Sequence, residues 1–138
     1  MITYKEALQE FIAAAKPKKE TETIPTLYGE GRILAEDVVS TICVPPWDNS
    51  QMDGYALRAA DIAAASEGAP VRLSVSQRIA AGTTGTELAP GTCARIFTGA
   101  PMPAGADCVV PQEDVTAESG DVVFTRPAPA GAWVRKKA

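Results

Sequence analysis

Val71-Arg-Leu-Ser-Val-Ser76 alternates apolar and polar side chains without a break. Period two places Val71, Leu73 and Val75 on one face of an extended chain and Arg72, Ser74 and Ser76 on the other, the pattern of a half-buried strand. The same pattern extends in both directions. Upstream, Tyr55–Arg58 is strand-like and Ala59–Ala63 a helical turn. Downstream, Ala81–Gly91 reads as a loop, and Cys93–Phe97 and Asp107–Val110 as strands. Val115–Ala117 and Val122–Thr125 flank Glu118-Ser-Gly-Asp121 as a hairpin, and Trp133–Arg135 is a last strand. About six or seven short strands at this spacing point to a small β-barrel-like or sandwich domain rather than a parallel sheet. The chain is thus expected to be mainly β with a short N-terminal helical segment, α+β overall.

The chain changes character near residue 40. Residues 3–16 are predicted to form a helix. Thr3 and Glu6 have capping-box spacing, and Ile2 and Ala7 are placed as a hydrophobic staple. Tyr4, Leu8, Phe11, Ile12 and Ala15 recur at helical spacing until Pro17. Lys16–Glu20 is a polar connector. Ile24–Leu27 is a short strand candidate, edge-like because Pro25 interrupts it. Gly31–Val39 fits a helical turn or a strand equally well.

Composition removes several functions. The 138 residues suffice for a core, with 46% hydrophobic residues, and a chain this size buries roughly 68–70% of its unfolded surface. Eleven Gly and eleven Pro break that core into many short elements. The net charge is −4, and the bases are scattered apart from small clusters at Lys16–Lys19 and Arg135–Lys137. A nucleic-acid surface would need a basic stripe. No apolar run matches a membrane span or a signal segment. An odd cysteine count with no C-x-x-C fits reduced thiols, so a cytoplasmic protein is expected. Without histidine, Ser-His-Asp and Cys-His catalysis are excluded for this chain acting alone. Cys43, Cys93 and Cys108 lie far apart, which fits reduced core thiols; with no His and no Cys pair, a zinc site is nearly excluded.

Two loops carry chemistry. In Val44-Pro-Pro-Trp-Asp-Asn-Ser-Gln-Met-Asp-Gly54, the two prolines stiffen the approach. Asp48, Asn49 and Ser50 can close Asx or Ser/Thr turns on nearby amides, and Asp53-Gly54 can form a tight corner. Alternatively, Asp53 holds a carboxylate at a cleft edge, ready to ligate Mg²⁺ or polarise a water. One carboxylate makes no Mg²⁺ site alone, so further oxygens must come from a substrate phosphate or another domain. In Ile96–Asp107, Thr98 ends an apolar strand, Gly99 permits positive φ, and Pro101 and Pro103 stiffen the rest of the loop. A ligand can approach the backbone there, or Thr98 can merely end the strand. Gly82 and Gly85 match no phosphate-loop pattern.

At these loops the chain resembles a known family. Pro45–Arg58 is similar to its P-x-[FW]-D-N-S-x-M-D-G-[YF]-A stretch and Arg95–Asp107 to its R-I-x-T-G-A-P-x-P-x-G-A-D stretch. Gly31–Asp37 and Gly131–Arg135 sit in the family's order, so the resemblance covers essentially the whole chain. The family is molybdopterin molybdenumtransferase, the MoeA and gephyrin E-domain group. It implies the last step of molybdenum cofactor biosynthesis: molybdate is inserted into adenylylated molybdopterin with release of AMP, assisted by Mg²⁺ or Zn²⁺. It implies an elongated homodimer, in which the β-rich second domain faces the partner subunit's pterin site. A molybdopterin adenylyltransferase protein or domain is the expected partner, with neither nucleic acid nor membrane.

Residue by residue, the resemblance assigns Asp53 as an electrostatic or metal-orienting carboxylate and Thr98 as a substrate-contacting hydroxyl. Asn49 and Ser50 are expected to shape the same wall. Residues 1–40 would hold the helix and the first part of a linker domain left incomplete here, and 41–138 the β-rich domain. Family members are several hundred residues long and continue with G-E-D where this chain has Ala138. The chain is therefore expected to be the front part of such an enzyme, inactive by itself. A non-catalytic dimerisation or scaffold module of gephyrin type is the alternative. A small β-domain binding an anionic metabolite is the third, which the net charge disfavours.

Overall fold

The computed structural model describes residues 2–16 and 20–138. The chain forms two compact units, Met1–Val39 and Ser40–Ala138.

Among the described residues the first unit contains one α-helix, α1 (Tyr4–Ala14). Its start is the capping box read from Thr3 and Glu6. The Glu6 amide donates to Thr3 Oγ1 (3.3 Å), while the Glu6 carboxylate accepts from the Thr3 amide (2.7 Å). The helix ends at Ala14, ahead of Pro17, which lies outside the described residues. None of its residues is buried, and Tyr4, Phe11 and Ile12 are exposed. The strand expected at Ile24–Leu27 is instead a single 3-10 turn, Thr26–Tyr28. Pro25 sits at its N-cap with φ −59°, a value that starts a helical turn as readily as it fits an edge strand. Gly31–Val39 forms no regular element.

The second unit is built on eight strands: β1 (Asn49–Ser50), β2 (Gly54–Leu57), β3 (Val71–Ile79), β4 (Thr92–Ile96), β5 (Cys108–Pro111), β6 (Thr116–Glu118), β7 (Asp121–Phe124) and β8 (Val134–Arg135). Six of them form one sheet in the order β5-β2-β4-β3-β7-β6, curled into a half-barrel, and β1 pairs with β8 alone. The mainly β class with one short helix is as expected. Every element read after residue 54 is present, including the 3-10 turn Ala59–Ile62 and the β6–β7 hairpin. One pairing differs. β3 and β4 run parallel, Arg78 opposite Arg95 and Ile79 opposite Ile96. A parallel pair needs a crossover of about a dozen residues, and the loop 80–91 supplies it.

Apolar side chains fill both faces of the sheet. Tyr55, Leu57, Leu73, Cys93, Cys108, Val122 and Phe124 pack on one side; Ala56, Ile79, Leu88, Ala94, Ile96 and Val109 pack on the other. β2 is buried along its whole length because it is covered twice. Each large side chain taken from water there contributes roughly 1.5–3 kcal/mol. Among the described residues no helix is long and apolar enough to cross a membrane.

The cysteines behave as core atoms. Burial pushes the thiols of Cys93 and Cys108 up to about 12, with Asp121 and Asp107 adding repulsion. Neutral and enclosed, both are expected to resist iodoacetamide at pH 8 in the native state. Cys43, only partly covered, is expected to be alkylated first. Mass spectrometry checks this. Native modification of either buried thiol at the Cys43 rate would contradict the packing.

Candidate functional site

The register of the sheet gathers four strand ends at one edge. Gly54 of β2 lies opposite Ile96 of β4 and Pro111 of β5, and Ile96 lies opposite Ile79 of β3. Asp53 and Thr98 are the residues just beyond this row. Asp53 Oδ1 accepts hydrogen bonds from the Thr98 amide (2.8 Å) and the Thr98 hydroxyl (2.7 Å). Its other oxygen, Oδ2, has no partner among the described residues. Asp53 is half-buried and Thr98 exposed. The clamp lowers the Asp53 pKa, first through the Thr98 hydroxyl, then through the Thr98 amide, with Arg95 adding attraction. The carboxylate is therefore charged at neutral pH and held still.

Gly54 does not adopt positive φ. It opens β2, and a Cβ there would stand 2.2 Å from the Val110 carbonyl oxygen. Close strand approach, not positive φ, is what requires glycine. Gly99, by contrast, does adopt φ +82°, and its amide donates to the Ser50 carbonyl.

The loop before Asp53 distributes its polar groups differently from a run of local turns. Ser50 is buried, and its hydroxyl closes its own turn by donating to the Met52 carbonyl (2.6 Å) and accepting from the Met52 amide (3.2 Å). Asp48 reaches across the sequence, accepting from Lys136 Nζ (2.7 Å) and the Lys137 amide (2.9 Å). Those bonds lower its pKa, that from Lys136 most. Asn49 is buried, and its Oδ1 has no hydrogen-bond partner among the described residues. It sits in β1, bridged to Pro101 just beyond Gly99. An unpaired buried amide oxygen is costly.

Sequence reasoning missed two further groups at this edge. Arg95 donates to the Gly54 carbonyl (2.9 Å) and to Gln112 Oε1, and the Gln112 amide donates to the Asp53 carbonyl (3.0 Å). Arg95 thereby braces the backbone on which Asp53 stands. Its signal was present in the Arg95-x-Phe97 alternation, which puts both side chains on one sheet face. Gln112 carried no signal, because only the pairing of β2 with β5 brings it there. A cleft of about 540 Å³ lies elsewhere, between β5 and β7, and includes neither Asp53 nor Thr98. Among the described residues no cluster of three or more Cys, Asp or Glu side chains is placed to hold a metal ion.

Residues 2–138 match the family described as MoeA N-terminal region (domain I and II). The chain belongs to that family. It is 40% identical over 140 residues to a molybdopterin molybdenumtransferase of Synechococcus elongatus, covering 99% of this chain and 35% of the relative. A Nostoc protein of the same name is 46% identical over 123 residues, covering 88% of this chain and 28% of the relative. Among solved structures, a molybdopterin biosynthesis MoeA protein from Pyrococcus horikoshii OT3 aligns with a TM-score of 0.85 at 33% identity, over 99% of this chain and 36% of that one. This MoeA-family chain thus spans about a third of the length of the relatives it matches.

Proposed function

We propose that this chain is the part of a molybdopterin molybdenumtransferase that lends Asp53 and Thr98 to an active site completed by other domains, in a homodimer by the partner subunit. The observation that carries this is the 2.7 Å hydroxyl–carboxylate bond at the exposed strand edge, with Oδ2 unpartnered among the described residues. The names of the relatives support the reaction, and the clamp geometry supports the role. A fixed, ionised carboxylate costs no reorganisation when charge develops beside it. The Thr98 hydroxyl gives its proton to Asp53 and keeps lone pairs for a donor on the substrate. Asn49, with an unpaired buried oxygen, fits a wall that a further polar group completes.

The donor set also bears on Mg²⁺. One free carboxylate oxygen suits an ion held chiefly by phosphate oxygens and water, not one caged by protein. Asp53 Oδ2 is the atom that would hold it, and the ion would neutralise charge on the phosphate oxygens. Asp53 and Thr98 need no rearrangement for this, since both Thr98 donors engage the opposite oxygen.

The test is Thr98→Val in a full-length enzyme containing this region. Loss of the hydroxyl leaves the Thr98 amide bond to Asp53 in place, so the fold is expected to persist. Molybdate insertion is expected to fall about tenfold or more, the scale of one lost hydrogen bond to a charged group. Thr98→Ser restores the hydroxyl and is expected to restore activity. Full activity in Thr98→Val would end the proposal.

A further inference from the structure

One row inward from the Asp53–Thr98 edge, Val110, Tyr55, Arg95 and Arg78 lie in register across β5, β2, β4 and β3. Residues in one such row stand on one face of a sheet. Val110 and Tyr55 are core residues, Arg95 is half-buried and Arg78 exposed. Two guanidinium groups on neighbouring strands repel each other. Phe97, two residues beyond Arg95 on the same face, offsets that repulsion. Both guanidinium carbons lie 4.4 Å from its ring centroid, and Arg95 also lies 5.3 Å from that of Tyr55. The ring's negative face attracts both cations and fixes their position.

The two arginines differ in what they have left to give. Arg95 spends its donors on the carbonyls of Gly54 and Ile96 and on Gln112. Arg78 has neither an ion pair nor a hydrogen bond among the described residues. Its guanidinium is held against Phe97 with its donor fork unspent, beside a second cation and without a carboxylate partner. Exposed and fixed in place, that planar fork matches two oxygens of a tetrahedral anion.

We propose that Arg78, braced on Phe97 beside Arg95, is an oxyanion-binding site at the same end of the sheet as Asp53 and Thr98. The oxyanion is a phosphate group of a larger substrate or a free tetrahedral oxyanion such as molybdate. Which source applies rests on the transferase proposal above, whereas the site itself does not.

Two titrations of the chain at fixed ionic strength test this, one with inorganic pyrophosphate and one with molybdate. NMR tracks the Arg78 Nε–H and the Phe97 ring. Saturable shifts are expected, with affinity falling about tenfold or more in Arg78→Gln, since the lost contact is a charge-assisted bond. Arg78 is exposed, so the variant is expected to keep its fold, which the spectra of the core residues verify. Saturation by pyrophosphate alone assigns a phosphate; by molybdate alone, the free oxyanion; by both, oxyanion geometry without discrimination. Saturation by neither, or equal binding by Arg78→Gln, overturns the site. Because the readout is binding rather than turnover, a silent Thr98→Val would retire the transferase role and leave this result intact.

Discussion

Asp53→Ala is expected to lower molybdate insertion in the full-length enzyme by about two to three orders of magnitude, the usual cost of removing one preorganised electrostatic group. The effect should exceed that of Thr98→Val, because Asp53 supplies the charge, whereas Thr98 fixes it and offers the substrate a neutral oxygen. Both Thr98 donors lose their acceptor in the variant, so the strand end loosens as well. Asp53→Asn separates the two effects. An amide oxygen still accepts from Thr98, so the geometry survives and only the charge is lost. If charge is what matters, Asn is nearly as inactive as Ala; if geometry alone matters, Asn is nearly as active as the parent. Wild-type insertion rates in Asp53→Ala would remove Asp53 from the site.

The direction of the shift sets the pH dependence. The pKa of Asp53 is lowered from 3.8 in the folded chain, by Thr98 first and Arg95 last. Its ionised form therefore stabilises the fold fully above the unfolded value. That contribution is lost as pH falls through the lower folded value. An acid limb in activity above the usual carboxylate range is therefore expected to come from another group. Asp48 has the same sign, through Lys136.

Much of the fold was legible because it is written locally. The Val71–Ser76 alternation, the capping box at Thr3 and the hairpin at Ser119-Gly120 each depend on neighbours in sequence, and each is present. The parallel pairing of β3 with β4 was not legible, since a crossover of loop alone leaves no helical pattern to announce it. The site divides the same way. Asp53 and Thr98 stood out as a carboxylate and a hydroxyl in stiff, punctuated loops, and the fold brings them within 2.7 Å. Arg78, Phe97 and Gln112 were not singled out, because no neighbour in sequence points to what they meet. Their proximity exists only once β2, β3, β4 and β5 are in register.

Gly54→Ala is expected to be the most damaging single methyl group in the chain. Its Cβ would meet the Val110 carbonyl oxygen at 2.2 Å, and the carbonyl carbon and Pro111 Cα at 2.9 and 3.0 Å. All three are backbone atoms of β5, so no side chain can rotate away. β2 must part from β5, in a strand whose every residue is buried. Overpacking costs typically about 1–3 kcal/mol and sometimes more, and an unyielding backbone contact puts this case at about 3. Gly82→Ala gives the contrast. That residue has φ +80° with nothing within 4 Å, so only conformational strain of about 1–2 kcal/mol applies. Urea unfolding of the two variants separates steric from conformational demand, and equal midpoints would refute the steric account. The consequence reaches the site, because Asp53 precedes Gly54 and the Gly54 carbonyl is one of the anchors of Arg95. Separation of β2 from β5 also breaks the bond from the Gln112 amide to the Asp53 carbonyl. The carboxylate would then lose its fixed position even in molecules that remain folded, and insertion activity should fall further than the loss of folded protein accounts for.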